Sequence, residues 1–149
     1  MKWIDIPPVW LLASMAITHL VAQVSGDTAG ADKWAVQMLG AGLIGIGLLL
    51  MGGAVLEMRR FKTTVLPHMT ADTLVRTGVF AYSRNPIYLG DMLVLAGYVF
   101  WTGGFAAAPL MLVLFWVLEV RFIRPEEHRL AAKFGEAFDR YTQQTRRWL

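Results

Sequence analysis

Arg84-Asn85-Pro86-Ile87-Tyr88-Leu89-Gly90 opens an apolar segment that follows a long basic loop. The next apolar segment closes on Arg124-Pro125-Glu126-Glu127. Charge beside hydrocarbon is costly and usually functional. These two polar clusters, at the ends of adjacent apolar segments, mark where the chain turns at a membrane surface and where its chemistry should lie.

Composition supports lipid as the solvent. Of the 149 residues, 56% are hydrophobic and 17% are charged, whereas a soluble domain is about a quarter charged. The length fits one domain covering residues 1–149. Cysteine is absent, which excludes disulfides, thiolate metal sites and cysteine nucleophiles. The net charge of +3 fits an anionic membrane surface as partner and does not call for nucleic acid.

Four apolar runs stand out, at about Pro7–Val24, Trp34–Leu56, Ile87–Gly104 and Phe105–Ile123. Each is near the ~20 residues a helix needs to cross hydrocarbon. Thr102-Gly103-Gly104 and Pro109 supply turn chemistry between the last two, so a tight antiparallel hairpin is expected. The first run has one preceding base, Lys2, two opening prolines and no convincing cleavage site. It therefore reads as a retained span and not as a signal peptide.

The 14 Lys and Arg residues are unevenly placed. Lys33 alone falls in the 1–2 connection, and the 3–4 connection has none. The others lie at Lys2, in the 2–3 loop, or from Arg121 onward. With four spans, those regions share one side, which the positive-inside rule makes cytoplasmic. The expectation is an all-α integral membrane bundle of four transmembrane helices, with both termini cytoplasmic, in a bacterial inner membrane.

Ala41 and Gly45 in the second run have the small-xxx-small spacing that lets helices approach closely. A packing face within the bundle is the first reading and a homodimer face the second. The 2–3 loop, about Met58–Asn85, contains Val65, Leu66, Leu74, Val75, Val79 and Phe80. That apolar content predicts a loop folded against the cytoplasmic mouth. Beyond the fourth run, Pro125 with Glu126 and Glu127 reads as a helix start. Leu130, Phe134, Phe138 and Tyr141 then recur at helical spacing, predicting an amphipathic helix over about Pro125–Thr142. Trp148 fits an interfacial anchor.

Several polar residues admit a structural and a chemical role. Asn85 can cap and Pro86 can start a helix; with Arg84 and Tyr88 they can also form a polar pocket that pairs with a carboxylate or reads hydroxyl edges. Glu126 and Glu127 can stabilise a first turn or accept from an ammonium group or ribose hydroxyls. Arg121 and Arg124 can snorkel to phosphates or hold an anionic acceptor. Asp91 and Glu119 are expected to pair with Arg121 or Arg84. His19, deep in the first run, reads as a hydrogen-bonded packing residue, and His68 lies in the loop.

The run from Leu74 to Gly90, Leu-Val-Arg-Thr-Gly-Val-Phe-Ala-Tyr-Ser-Arg-Asn-Pro-Ile-Tyr-Leu-Gly, and the run Glu126-Glu127-His128-Arg129-Leu130 through Phe134-Gly135 to Tyr141 together resemble the signature blocks of the isoprenylcysteine carboxyl methyltransferase and phospholipid N-methyltransferase superfamily. The resemblance covers about residues 58–149. It implies a membrane enzyme that uses S-adenosylmethionine, requires no metal, and methylates a lipophilic or small-molecule acceptor at the cytoplasmic face. By position it implies Tyr82, Arg84, Asn85, Pro86, Tyr88, Leu89, Glu126 and Glu127 as cofactor-binding residues. It also implies an arginine shortly before the Glu pair, Arg121 first and Arg124 second, acting with Glu126 to handle the acceptor. Asn85 departs from the His of the eukaryotic isoprenylcysteine enzymes, Val79 from a frequent Pro, and Ala81 from a frequent Arg. A non-catalytic membrane scaffold that keeps the fold is the competing reading.

Overall fold

The computed structural model describes residues 5–26, 32–63 and 73–149. His68, Val65, Leu66 and the rest of residues 64–72 in the 2–3 loop lie outside the described residues. The described residues form helices and connecting turns. The helices are α1 (Pro7–Ser25), α2 (Lys33–Arg60), α3 (Pro86–Thr102), α4 (Pro109–Val117), α5 (Arg124–Phe134) and α6 (Glu136–Gln144). Single 3-10 turns occupy Gly78–Ala81 and Phe105–Ala107.

Three helices are long and apolar enough to cross a membrane: Pro7–Ser25, Lys33–Arg60 and the continuous stretch Phe105–Phe134. α3 is apolar but shorter, at 17 residues. Leu12, Leu20, Leu48, Leu49, Leu112 and Trp116 all face outward. A helix apolar on its outer as well as its inner face is built for lipid.

α2 and α3 pack together with their backbones in near contact. A Cβ on Gly40 would lie 2.6 Å from the Gly97 carbonyl oxygen, and one on Gly47 would lie 2.8 Å from that of Gly90. Hydrogen at these four positions is what permits the approach. The sequence expectation placed this face on Ala41 and Gly45. The close contacts fall instead on Gly40 and Gly47, and Gly45 has open space where a side chain would go. The face packs within the bundle, one step away in helical phase.

Between α3 and α4 the chain reverses at Gly103, whose φ of +68° lies in the left-handed region that favours glycine. Gly104 then sits against Thr18 and Ala22 of α1. The expected tight hairpin is present. Its second arm differs from expectation. α4 does not stop before Pro125; it passes through a π-helical turn, Leu118–Ile123, straight into α5. The wider turn accounts for the tolerance of Pro125: a proline ring clashes with the carbonyl four residues back in α-helical register, and π register moves that carbonyl away.

The single helix expected over Pro125–Thr142 is in fact two. Gly135, with φ +48°, breaks it between α5 and α6. The break lets α6 bury Phe138 and Tyr141 while α5 continues the long helix. Trp148 is not a free interfacial anchor. It stacks on Phe115 at 4.9 Å and donates its indole N–H to Glu119 Oε2 at 3.2 Å.

One end of the bundle is polar. It gathers the start of α1, the basic end of α2, the start of α3, the π turn and the C-terminal tail. Val75 is buried there and Thr77 bonds Glu57 of α2. The described part of the 2–3 loop is thus folded onto the bundle.

Candidate active site

Pro86 starts α3 at a position where a missing N–H is harmless. Its neighbour Asn85 makes no cap with its side chain. Instead Asn85 Nδ2 donates to the Arg147 carbonyl at 3.0 Å, and the Asn85 N–H donates to Ser83 Oγ at 3.1 Å. The Arg84 N–H donates to the Arg146 carbonyl at 3.0 Å. The segment before α3 is therefore laced to the tail, and Asn85 is buried by it.

α5 brings the two glutamates to this point. Tyr88 Oη donates to Glu126 Oε2 at 3.0 Å. Arg84 Nη2 lies 3.2 Å from Glu127 Oε1, both side chains mostly buried. This contact is a pairing of charges only: Arg84 Nε and Glu127 Oε1 are buried without a hydrogen-bond partner among the described residues. The opposite oxygen, Glu127 Oε2, accepts from Arg147 Nη2 at 2.6 Å and Nε at 3.0 Å. Arg147 Nη1 reaches Glu119 Oε1 at 2.6 Å. The hydrogen bond to Glu127 raises the Arg147 pKa above its ordinary value, so the guanidinium stays charged.

Behind this cluster, Tyr141 Oη donates to the Phe80 carbonyl at 2.7 Å and Thr145 Oγ1 to that of Ala81 at 3.3 Å. Burial pushes the Tyr141 hydroxyl up to about 12. These two bonds fix the loop immediately before Arg84.

Of the residues expected at the site, Arg84, Asn85, Tyr88, Glu126 and Glu127 come together. Pro86 shapes the helix start, and Leu89 is half-buried on the first turn. Tyr82 is 78% exposed, on the rim of the cluster. Arg121 turns toward α1: its Nη2 bonds Asp5 Oδ2 at 2.7 Å, and its guanidinium lies 5.7 Å from the centre of the Trp10 ring. The expected pairings of Asp91 and Glu119 with Arg121 or Arg84 are corrected. Glu119 is held by Arg147, by Arg124 Nε at 3.4 Å and by Trp148. Asp91 has no hydrogen-bond partner among the described residues. His19 is exposed and contacts Tyr98 Oη at 3.3 Å and Gln23 at 3.0 Å.

Arg147 was not among the expected site residues. It lies in a basic tail, Thr145-Arg146-Arg147, with no periodicity to single it out. A cavity of about 390 Å³ opens beside it, lined by Phe115, Trp116, Glu119, Val120, Arg124, Arg147 and Trp148.

The arrangement offers carboxylates, a guanidinium with an unmet N–H and a tyrosine hydroxyl within one polar cluster at the end of an apolar bundle. Such a cluster suits a ligand that carries hydroxyls and charges of both signs. The sequence model of one protein family, phospholipid methyltransferase, matches residues 35–137, from α2 into α6. The chain belongs to the phospholipid methyltransferase family. That match includes the expected site residues from Tyr82 to Glu127 but not Arg147.

Among its relatives in this family setting, the chain is 25% identical over 127 residues to the nickel-cobalt-cadmium resistance protein NccN of Alcaligenes xylosoxydans xylosoxydans, covering 85% of this chain and 56% of that protein. It is 28% identical over 102 residues to the protein-S-isoprenylcysteine O-methyltransferase of Schizosaccharomyces pombe, covering 67% of this chain and 43% of that enzyme. A segment of 63 residues is 35% identical to an uncharacterized protein of Haemophilus influenzae and covers all of it. The chain spans about half the length of the first two relatives.

Proposed function

We propose that this protein is a methyltransferase that uses S-adenosylmethionine and acts on a lipophilic acceptor at the cytoplasmic face of a membrane. Family membership and the relative that methylates isoprenylcysteine support methyl transfer. The observation that carries the cofactor is the pair of unmet polar atoms, Arg84 Nε and Glu127 Oε1, buried beside the Tyr88–Glu126 hydrogen bond. A buried donor and acceptor left open in one pocket are expensive unless a ligand completes them.

The residues fit that cofactor by charge and hydrogen bonding. Arg84 supplies a cation for its carboxylate. Glu126 and Glu127 supply acceptors for its ammonium group or ribose hydroxyls. Asn85 and Tyr88, with Pro86 and Leu89 shaping the turn, set the wall of the pocket, and Tyr82 stands at its rim. When bound, the cofactor supplies a methyl group already activated on a sulfonium. The protein then needs chiefly to position the acceptor and exclude water. Arg121 beside Asp5, and Arg124 beside Glu119, are the cations available to an anionic group of the acceptor.

In this reading the four hydrophobic segments α1, α2, α3 and α4 with its π turn all cross the bilayer. The 17 residues of α3 stand at the short end of the ~17–25 that suffice. The basic end, with Arg59, Arg60, Arg84, Arg124 and Arg147, faces the cytoplasm by the positive-inside rule.

The test is methyl transfer from radiolabelled S-adenosylmethionine into a total membrane extract, separated into lipid, protein and small-molecule fractions. Label in one fraction that depends on the purified protein and is lost in Glu126→Gln supports the reading. No protein-dependent label in any fraction contradicts it.

A further inference from the structure

The cavity of about 390 Å³ beside the tail stands apart from the cluster around Tyr88 and Glu126: none of Arg84, Tyr88, Glu126 or Glu127 lines it. Its walls come from the outer face of α4 and the π turn on one side and from the tail on the other. Phe115, Trp116, Val120 and Trp148 form an apolar part, and Glu119, Arg124 and Arg147 a polar part. Its volume falls within the ~300–1,000 Å³ of small-molecule sites.

The two parts follow the axis of the long helix. Trp116, Val120 and Arg124 recur every four residues and meet on one wall of the cavity. Leu112, 74% exposed, continues that row toward the hydrocarbon centre. Arg124 stands roughly two turns beyond Trp116, at the polar end of the bundle. Hydrocarbon, then indole, then a cation is the usual order at a membrane interface.

Charge in the polar part is not balanced. Two guanidiniums face one carboxylate, and Glu119 Oε1 is already held by Arg147 at 2.6 Å. Arg124 reaches the same oxygen through Nε, at 3.4 Å, and its side chain is 59% exposed. Its two terminal amino groups make no hydrogen bond among the described residues. An open guanidinium fork suits a phosphate.

We propose that this cavity holds an anionic phospholipid, its phosphate on Arg124 and Arg147 and an acyl chain along Val120, Trp116 and Leu112. A free phosphate would use the cations and leave the aromatic wall uncovered. A zwitterionic lipid would bring an ammonium group toward two guanidiniums. Glu119, which already accepts from Arg147, Arg124 and Trp148, has little left to offer that group. The cytoplasmic leaflet supplies anionic lipids. The lipid is resident and is not the methyl acceptor, because the cavity touches none of the residues assigned to the cofactor. Arg124 serves this lipid, and Arg121 remains for the acceptor. Arg147 also holds Glu127 at 2.6 Å, so the bound lipid braces the tail that closes the Tyr88–Glu126 cluster. The inference does not depend on the methyltransferase reading.

The experiment follows thermal unfolding of the full chain in nonionic detergent. The probes are dioctanoyl phosphatidylglycerol, dioctanoyl phosphatidylcholine and inorganic phosphate. A ligand that binds the folded state raises Tm with its concentration. Phosphatidylglycerol should act at about tenfold lower concentration than phosphatidylcholine, and phosphate should give no shift over the same range. Arg124→Gln should weaken the phosphatidylglycerol effect by about tenfold. Arg140→Gln, which removes the same charge from the exposed side of α6, should leave it unchanged. Trp116→Ala should weaken it by about threefold. Equal stabilisation by the two lipids, or by free phosphate, overturns the proposal. So does an Arg124→Gln that binds like the wild type or is weakened no more than Arg140→Gln. If Arg124→Gln does not fold, the order of the three probes and Trp116→Ala decide.

Discussion

Arg147 Nη2 lies 2.6 Å from Glu127 Oε2, and its Nη1 lies 2.6 Å from Glu119 Oε1. One guanidinium from the tail thus neutralises two carboxylates on two different segments of the long helix. The Arg147 carbonyl accepts from Asn85 on the loop before α3. A single residue ties three parts of the site together.

Arg147→Ala should therefore be destabilising. It leaves Glu119 and Glu127 as buried anions with fewer donors, and breaking a buried pair is costly. Because Arg147 is itself partly exposed, a loss of about 2–3 kcal/mol is expected. Arg147→Lys should restore only part of it, since an ammonium cannot bridge two carboxylates in a fork. Thermal unfolding in detergent, followed by circular dichroism, measures both.

The α2–α3 seam makes a separate prediction. A Cβ on Gly97 would lie 2.5 Å from the Gly40 carbonyl and 2.9 Å from the Ile44 nitrogen. Both are backbone atoms that cannot swing aside. Gly97→Ala should cost about 1–3 kcal/mol, whereas Gly45→Ala, with open space at that position, should be neutral or mildly stabilising through helix propensity. The same unfolding measurement on the two variants tests the seam's register.

The difference between those glycines shows how far sequence reading reached. The apolar runs and the uneven basic residues were legible because they follow directly from solvent and charge. The partner-facing phase of α2 was not, because small residues occur at Gly40, Ala41, Gly45 and Gly47 alike, and the choice depends on where Gly90 and Gly97 come to rest. Pro125 read as a helix start because proline at a first turn is common. The π turn that absorbs it leaves no mark in composition. Arg84, Asn85, Tyr88, Glu126 and Glu127 were legible as polar groups placed against hydrocarbon. Arg147 was not, because a basic doublet near a chain end ordinarily means a solvated surface, and its partners lie 20 and 28 residues away in sequence.

Tyr141 predicts an alkaline limb in stability. Burial raises its pKa from 10.0 to about 12. In the unfolded chain the phenol ionises near its ordinary value, while in the fold it stays protonated to higher pH. The unfolded state then binds fewer protons, so stability falls as pH rises through the interval from about 10 to about 12. Tyr141→Phe should lose the bond to the Phe80 carbonyl and start less stable at neutral pH. Its further decline between those two pH values should be shallower than that of the wild type. Chemical denaturation at a series of alkaline pH values distinguishes the two curves.

The central claim is that the segment before α3 and the start of α5 build one pocket for a sulfonium nucleotide. Isothermal titration of the detergent-purified protein with S-adenosylmethionine tests it most directly. Saturable one-site binding is expected, weakened by about tenfold or more in Glu126→Gln and in Arg84→Ala, consistent with loss of charge-assisted hydrogen bonds. No heat of binding at millimolar cofactor, or binding that neither substitution changes, would contradict it.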